Sequence, residues 1–433
     1  MSTRLFGGAS GRVFRGAVTL AVGSGFGRTI GIAAIPILTR LYTPKDFGVL
    51  SVFTALVLIL APLITLRYVL ALPLPRQDGM AMNLLALVLG LLFSIGAMLA
   101  AVMWLWRAPL LALFSMETLA NWWWLIVLGV MGAAIYETLT LWATRGRAYK
   151  EMAYTQVTQS AAGAVVKIAL GLAAIQPLGL LVGQVVAQTG GITRLLRHFW
   201  PQFRTNWRYV SAARIRMVAS RYKGFAIWRV PSQFLMIFSM QAPVLFMAAF
   251  YDAGTTGQFG LAVMALSIPV NVMGQSAGNA LYGEAAKIKQ TDWHQIPEIA
   301  KNLQKRLLIL SIPPAAIIFF FGESIFCVLF GRDWAQAGRF ASILSVALVF
   351  QFTSAPLIKI MNILSNQSVF LVMNAVRFVG VIAVFRIAEM VTFDAAQTIV
   401  FYTGFSVVFY LLISLFVLRE LGKEVSGHVD NER

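Results

Sequence analysis

Residues 48–71 read GVLSVFTALVLILAPLITLRYVLA. Arg67 is the one charged side chain in the stretch, and about 20 apolar residues are enough for a helix to cross the hydrocarbon core of a bilayer. The segment reads as a membrane-spanning helix with a cation inside it. Comparable runs recur along all 433 residues, of which 59% are hydrophobic and 12% charged, with a mean hydropathy of +0.76. Twelve spans are predicted, at 16–39, 48–71, 82–105, 121–143, 155–175, 177–197, 229–251, 259–281, 307–330, 340–362, 369–389 and 396–418. The expected fold class is an all-α polytopic membrane protein in two halves of six helices. An N-terminal lobe at 1–200 and a C-terminal lobe at 229–433 flank a basic cytoplasmic linker at 201–228.

The net charge of +18 is distributed by topology. If the N-terminus is cytoplasmic, and Arg194, Arg197 and Arg386 at the ends of their spans are counted with the adjoining loops, 23 of the 35 Lys and Arg fall on its side, 6 in the opposite loops and 6 within the spans. The positive-inside rule then places both termini in the cytoplasm. The basic loops would meet anionic membrane lipid, where each cation near the surface is worth about 1 kcal/mol. No recognised nucleic-acid module accompanies the charge, so nucleic acid is not expected as a partner. The segment Met1 to Arg15 precedes a span too polar and glycine-rich for a cleaved signal peptide, so the first helix should remain in the mature chain.

The six cations so assigned to the spans are Arg28, Arg67, Lys167, Arg229, Lys359 and Arg377. Charge near the bilayer centre costs about 2.5 kcal/mol or more, so it persists where it faces protein or water and marks a functional path. Glu137 alone among the acids lies clearly at comparable depth, so the cations cannot all be neutralised internally. All six are therefore candidate substrate-binding residues of a cationic cavity that takes an anion. Arg229 and Lys359 lie near the cytoplasmic ends of their spans, where a long side chain can snorkel, whereas Arg28 lies deeper and Arg67 is intermediate. Glu137 has two readings, as a site coupling transport to H⁺ or Na⁺ and as the neutraliser of Arg28 or Lys167.

Polar residues fall in stripes at helical spacing. Gly163, Lys167 and Gly171 share one face of the fifth span, so the lysine is flanked by positions that admit a backbone or a ligand. Arg229, Gln233 and Gln241 line the seventh, and Asn271, Gln275 and Asn279 the eighth. Gln351, Ala355 and Lys359 form one row of the tenth, Ser354 and Asn362 the next, and Asn374 precedes Arg377 by one turn in the eleventh. Any single amide among these serves as interhelical glue, whereas charged stripes in both halves fit a water-filled cleft. Gly23, Gly27 and Gly31 of the first span make a small-residue packing face, with Arg28 about 100° away.

Several chemistries are disfavoured. Cys327 is a single cysteine, and His198, His294 and His428 lack metal-ligand spacing, so neither a disulfide, a metal nor another cofactor is expected. No phosphate-binding G-x-x-x-x-G-K-[ST] occurs. The chain has no Asp-x-Asp, and the longest outward loop, Arg107 to Asn121, is too short for a catalytic domain. Transport without chemistry is favoured over an enzyme. From Arg194 to Lys223 eight basic residues and no acid interleave with Phe199, Trp200, Phe203, Trp207 and Tyr209, which reads as a segment on the cytoplasmic leaflet. It is either a topology anchor or a collector of anionic lipid substrate. Glu284 to Arg306 reads as a cytoplasmic surface helix.

Ile37-Leu-Thr-Arg-Leu-Tyr-Thr-Pro-Lys-Asp-Phe-Gly48, Thr65-Leu-Arg-Tyr and Leu72-Pro-Leu-Pro75 resemble the N-terminal pattern of bacterial polysaccharide flippases of the Wzx type. Pro231 to Pro243, Gly257-Gln-Phe-Gly-Leu-Ala, the run Pro269 to Lys287 and Leu329-Phe-Gly-Arg-Asp-Trp-Ala-Gln-Ala-Gly338 are similar to the same family in its second half. The resemblance implies the multidrug/oligosaccharidyl-lipid/polysaccharide exporter superfamily, with two lobes in a V about a central cavity. It implies transfer of an oligosaccharide on undecaprenyl diphosphate from the cytoplasmic to the periplasmic leaflet of the bacterial inner membrane. Surface polysaccharides such as O-antigen, capsule or exopolysaccharide would be built from that unit, with a polymerase and chain-length machinery as further partners. Arg28 falls where lipid II flippases of the superfamily carry an arginine, and Arg67 in the family's Thr-Leu-Arg pattern; Arg229 departs from a small or polar position. A drug or metabolite antiporter of the same superfamily is the alternative, followed by a membrane glycan polymerase or glycosyltransferase.

Overall fold

The computed structural model describes residues 8–269, 296–360 and 367–432. Every regular element among them is helical. Fifteen α-helices follow in chain order: α1 (Gly8–Leu41), α2 (Pro44–Ile64), α3 (Asp78–Ala112), α4 (Glu117–Ala120), α5 (Trp123–Arg145), α6 (Tyr149–Leu172), α7 (Leu178–Thr189), α8 (Ile192–Asn206), α9 (Ala212–Arg221), α10 (Val230–Phe250), α11 (Ala253–Pro269), α12 (Ile296–Phe330), α13 (Ala335–Ile360), α14 (Gln367–Met390) and α15 (Ala395–Glu432). Nine helical segments among the described residues are long and apolar enough to cross a membrane. The chain is thus an all-α, multi-pass membrane protein. Large apolar side chains such as Phe93, Trp104, Phe320 and Val328 are exposed, as expected where hydrocarbon replaces water.

The chain divides into two compact units, Met1–Gln241 and Ala242–Arg433. In the first, Val69, Leu72, Met82 and Leu84 pack with Trp142 and Phe199 in a core where α3, α5 and α8 meet. In the second, Ile296 and Ala300 of α12 pack against Tyr410, Ile413, Val417 and Leu421 of α15. Phe246 also stacks on Phe385 at 5.2 Å.

Helix starts and stops follow local chemistry. Thr43 closes a capping box with Asp46 at the head of α2, where Pro44 supplies a pre-set φ and lacks a donor that would go unused. The expected span 48–71 is not one helix. α2 ends at Ile64, and Leu66 and Arg67 adopt left-handed φ of 46° and 57° before a 3₁₀ turn, Tyr68–Ala71. Left-handed non-glycine residues cost about 1–3 kcal/mol each. Burial of Val69 and Leu72 and the Tyr68 hydroxyl donating to Ala219 O at 3.1 Å hold the reversal in place.

The expected sixth span, 177–197, is likewise divided at Gly190 and Gly191 into α7 and α8. A Cβ on Gly191 would lie 2.7 Å from both Thr155 Cβ and Tyr136 Cε2, so glycine lets α6 and α5 close on the junction. α8 then buries Leu195, Phe199 and Phe203 at four-residue spacing and exposes Arg194, Arg197, Trp200 and Arg204. The segment anticipated as a linker is mostly helical, comprising the end of α8, the 3₁₀ turn Trp207–Tyr209, α9 and a π-helical turn, Phe225–Arg229. Residues 296–306, read as surface helix, belong instead to the 35-residue α12, because Ile296 and Ala300 have an apolar partner face on α15. The rest of that expected surface helix, the second half of the eighth span and residues 361–362 of the tenth lie outside the described residues.

Candidate functional site

Lys167 lies in the last third of α6, five residues before its end, facing α7. Its aliphatic stem rests on Gly183, where a Cβ would fall 2.2 Å from Lys167 Cγ, and its Nζ donates to Gln184 Oε1 at 2.7 Å. Gly163 admits Gly183 O and Ala187, so the small residues beside the lysine bring the α7 backbone close. Gly171 admits the ring of Tyr42, whose hydroxyl donates to Lys167 O at 2.7 Å. Tyr42 sits in the turn between α1 and α2, and burial, reinforced by Asp46, pushes its phenol up to about 12. It is therefore a neutral donor throughout the physiological range. Among the described residues no carboxylate pairs with Lys167. Its ammonium thus meets an amide oxygen and not a carboxylate.

Two substitutions test this construction. Gly183→Ala is expected to displace the lysine stem and reduce transport several-fold, because the Cβ would meet a mid-chain carbon and the Lys167 backbone N at 3.0 Å. Tyr42→Phe removes one hydrogen bond and should cost about 1 kcal/mol of unfolding free energy with transport retained. Thermal unfolding and transport assays on the two purified variants check both.

Arg67 has a different environment. It is 5% exposed, and its Nη1 reaches Glu137 Oε1 at 2.9 Å and Oε2 at 3.3 Å. Of the two readings of Glu137, the neutralising one named Arg28 or Lys167; the ion pair found is with Arg67, which the left-handed turn after α2 delivers to it. Arg67 Nε, Thr65 Oγ1 and Thr140 Oγ1 are each buried without a hydrogen-bond partner. The other acids inside predicted spans are also paired, Glu323 with Arg339 at 2.8 Å and Glu389 with Arg386 at 2.6 Å.

In the second unit Arg377 projects from α14 onto α15, its guanidinium 5.7 Å from the Phe409 ring and 5.6 Å from the Tyr410 ring. Aromatic faces attract a cation without cancelling its charge. No carboxylate among the described residues pairs with Arg377 either. Asn374, one turn earlier, is 8% exposed. Ser354 of α13 is buried and joins Ser414 Oγ at 2.8 Å and Tyr410 O at 3.1 Å, so this member of the tenth-span row is interhelical glue.

The remaining expected residues are dispersed. Arg28 lies on an exposed side of α1, while Gly23 and Gly27 pack against Ala153 and Gln156 O of α6; nothing lies within 4 Å of a Cβ at Gly31, so the packing face ends before it. Arg229 is exposed in the π-helical turn before α10, with Gln233 half-buried one turn on. Gln351 is half-buried in α13. The side chain of Lys359 and the whole of Asn271, Gln275 and Asn279 lie outside the described residues.

Sequence reading missed three organising residues. Gln184 of α7 carries the lysine and lies 17 positions from it, beyond any single-helix stripe. Gln258 of α11 donates to Asp333 O at 2.6 Å and accepts from Ala337 N at 2.8 Å, which joins the Gly257-Gln-Phe-Gly and Gly331-Arg-Asp-Trp motifs into one unit. Asn83, fully buried on α3, donates to Tyr209 O at 2.8 Å. At the head of α6, outside the predicted spans, Glu151 is held below the usual carboxylate range chiefly by the hydrogen bond from Arg194 of α8.

Comparison with known proteins gives a consistent result. The sequence model of a family described as polysaccharide biosynthesis protein matches residues 37–339. Among curated proteins no match is found. The chain is similar in fold to a lipid II flippase, MurJ, in an inward closed conformation, at TM-score 0.68 and 10% identity, covering 93% of this chain and 87% of that one. It is similar to an inward-facing multidrug resistance transporter of the MATE family in the MOP superfamily, at TM-score 0.59 and 14% identity over 93% and 96%. A MOP superfamily transporter from Pyrococcus furiosus matches at TM-score 0.55 and 14% identity over 94% and 95%.

Proposed function

We propose that this chain, which belongs to the polysaccharide biosynthesis protein family, is a transporter that turns a lipid-linked oligosaccharide from one leaflet of its membrane to the other. The substrate is an oligosaccharide repeat unit on undecaprenyl diphosphate, moved from the cytoplasmic to the periplasmic leaflet of the bacterial inner membrane for surface polysaccharide assembly. Both termini lie in the cytoplasm in this reading. The observation that carries it is the pair of cations within predicted spans that meet no carboxylate among the described residues, Lys167 in the first unit and Arg377 in the second. The likeness to a lipid II flippase supports a lipid diphosphate as the cargo class.

The chemistry follows from the substrate. A polyprenyl tail is at home in hydrocarbon, whereas a diphosphate and sugars are not, so the protein shields the head alone. Lys167 offers a mobile point charge, and Arg377 a planar fork that matches phosphate oxygens. Gln233, Gln351 and Asn374 supply neutral donors and acceptors suited to sugar hydroxyls. Arg67 acts as scaffold, because its charge already belongs to Glu137. Arg28, Arg229 and Lys359 serve the head group along its route.

An antiporter of organic cations would use free acids in its spans, and the three acids inside the predicted spans are all paired with arginine. Coupling to H⁺ or Na⁺ through Glu137 would require opening its pair with Arg67. The test reconstitutes the purified chain in proteoliposomes with a labelled undecaprenyl diphosphate oligosaccharide and, separately, a cationic dye. Movement of the lipid without the dye is expected. Dye movement alone would refute the assignment, and lengthening of the glycan would identify a polymerase instead.

A further inference from the structure

A second cationic feature lies at the ends of the spans rather than within them. α3 begins at Asp78 and α5 ends at Arg145, and Arg145 Nη1 ties the two ends through Asp78 Oδ1 at 2.7 Å. The turn between α8 and α9 crosses this end of the unit. Asn83 fixes it there: its Nδ2 donates to Gly79 O at 2.7 Å and to Tyr209 O at 2.8 Å, and its Oδ1 accepts from Ser211 N at 3.0 Å. Gly79 leaves room for the Tyr209 ring, which a Cβ would approach to 3.3 Å.

Between this turn and the head of α3 lies a cavity of about 710 Å³. Arg76, Asn206, Tyr209 and Arg214 line it with polar groups, and Met80, Met217 and Val218 with apolar ones. The one acid in its lining, Asp78, is already paired with Arg145. Neither Arg76 nor Arg214 has an acidic partner among the described residues, and the Arg214 guanidinium donates from Nη1 to Tyr209 O at 3.2 Å. The cavity therefore combines two cations with apolar side chains.

We propose that this cavity binds the phosphate headgroup of an anionic phospholipid, with Arg76 and Arg214 as its two cationic ligands. Guanidinium groups match phosphate oxygens in pairs, and the apolar lining side chains suit the glycerol and first methylenes that follow a lipid phosphate. A free phosphate ion would make no use of those apolar side chains. The level is also that of headgroups, since two spanning helices end here and Trp200 and Trp207, the exposed aromatics of the same segment, are residues suited to a membrane interface. Lipid bound there would pin the turn between α8 and α9 to one leaflet, independently of what the spans transport.

The test uses the full chain purified in a non-ionic detergent, with phosphatidylglycerol binding followed by native mass spectrometry. The double variant Arg76→Ala with Arg214→Ala is expected to weaken binding at least about tenfold, the effect of one lost charge-assisted contact or more. Arg204→Ala with Arg216→Ala removes the same charge from exposed positions outside the cavity and should change binding by less than about twofold. Should the first variant not purify folded, Met217→Glu replaces it, since an acid brought into the cavity from an exposed position should abolish binding equally. Equal losses in the two double variants, or no loss in either, would overturn the site in favour of diffuse surface charge. Displacement of the lipid by inorganic phosphate at about hundredfold excess would overturn the lipid assignment in favour of a soluble anion.

Discussion

Replacing Arg67 by alanine is expected to remove most of the folded protein from the membrane, and replacing Glu137 as well is expected to restore part of it. Taking one partner from a buried ion pair costs about 3–5 kcal/mol, because the other charge is left without compensation in a low dielectric. Glu137 keeps 31% of its side chain accessible, so the lower end applies. Even that is a large share of the roughly 5–15 kcal/mol that holds a domain folded. Removing both charges abolishes the desolvation problem, so the double variant Arg67→Ala with Glu137→Ala should be more stable than Arg67→Ala alone. The backbone provides a further control. With φ of 57°, position 67 suits glycine, so Arg67→Gly should be less damaging than Arg67→Ala by about 1 kcal/mol. Thermal unfolding of the purified variants reads all three, and a stable, transport-dead Arg67→Ala would reassign Arg67 from scaffold to substrate ligand.

The second large effect concerns Lys167 and Arg377, and it should separate transport from stability. Neither has a carboxylate partner to strand, so Lys167→Ala and Arg377→Ala should express and unfold much as the parent does. Each removes charge-assisted contacts worth about 1.5–3 kcal/mol, so transport at low substrate should fall about ten- to a hundredfold. Lys167→Arg should fare poorly as well. Gln184 and Gly183 are fitted to a slender stem and a compact ammonium, and a planar fork there would meet the α7 backbone. Arg377→Lys should retain part of the activity, since its aromatic neighbours accept either cation. Loss of folded protein in both alanine variants would show the two residues to be structural.

Much of the fold was legible because the bilayer imposes a simple rule on sequence. Apolar length identified α1, α5, α10, α14 and α15 within a few residues over their candidate spans, and α3, α12 and α13 by position but not by full length. It failed where tertiary contacts overrode local pattern. Thr65-Leu-Arg-Tyr continues an apolar run, and nothing within the run shows that Arg67 will leave the helix for an acid 70 positions away. Gly190-Gly191 falls inside the predicted sixth span, and the break there shows only when Thr155 and Tyr136 are seen against Gly191.

The candidate cations were readable from depth alone, but their division into bound and available was not. That division depends on the acid that each meets, and acids arrive from other helices. Gln184 shows the same limit from the opposite side. A single glutamine in an apolar stretch carries no signal until its partner is known, and here it is the group that receives Lys167.

The most direct measurement is the leaflet distribution of undecaprenyl diphosphate-linked oligosaccharide in cells depleted of this chain and resupplied with the parent or with Lys167→Ala and Arg377→Ala together. The parent should return the lipid-linked unit to the periplasmic leaflet, while the double variant, present at equal level, should leave it in the cytoplasmic one. Normal distribution in depleted cells, or full rescue by the double variant, would contradict a flippase that works through these two cations.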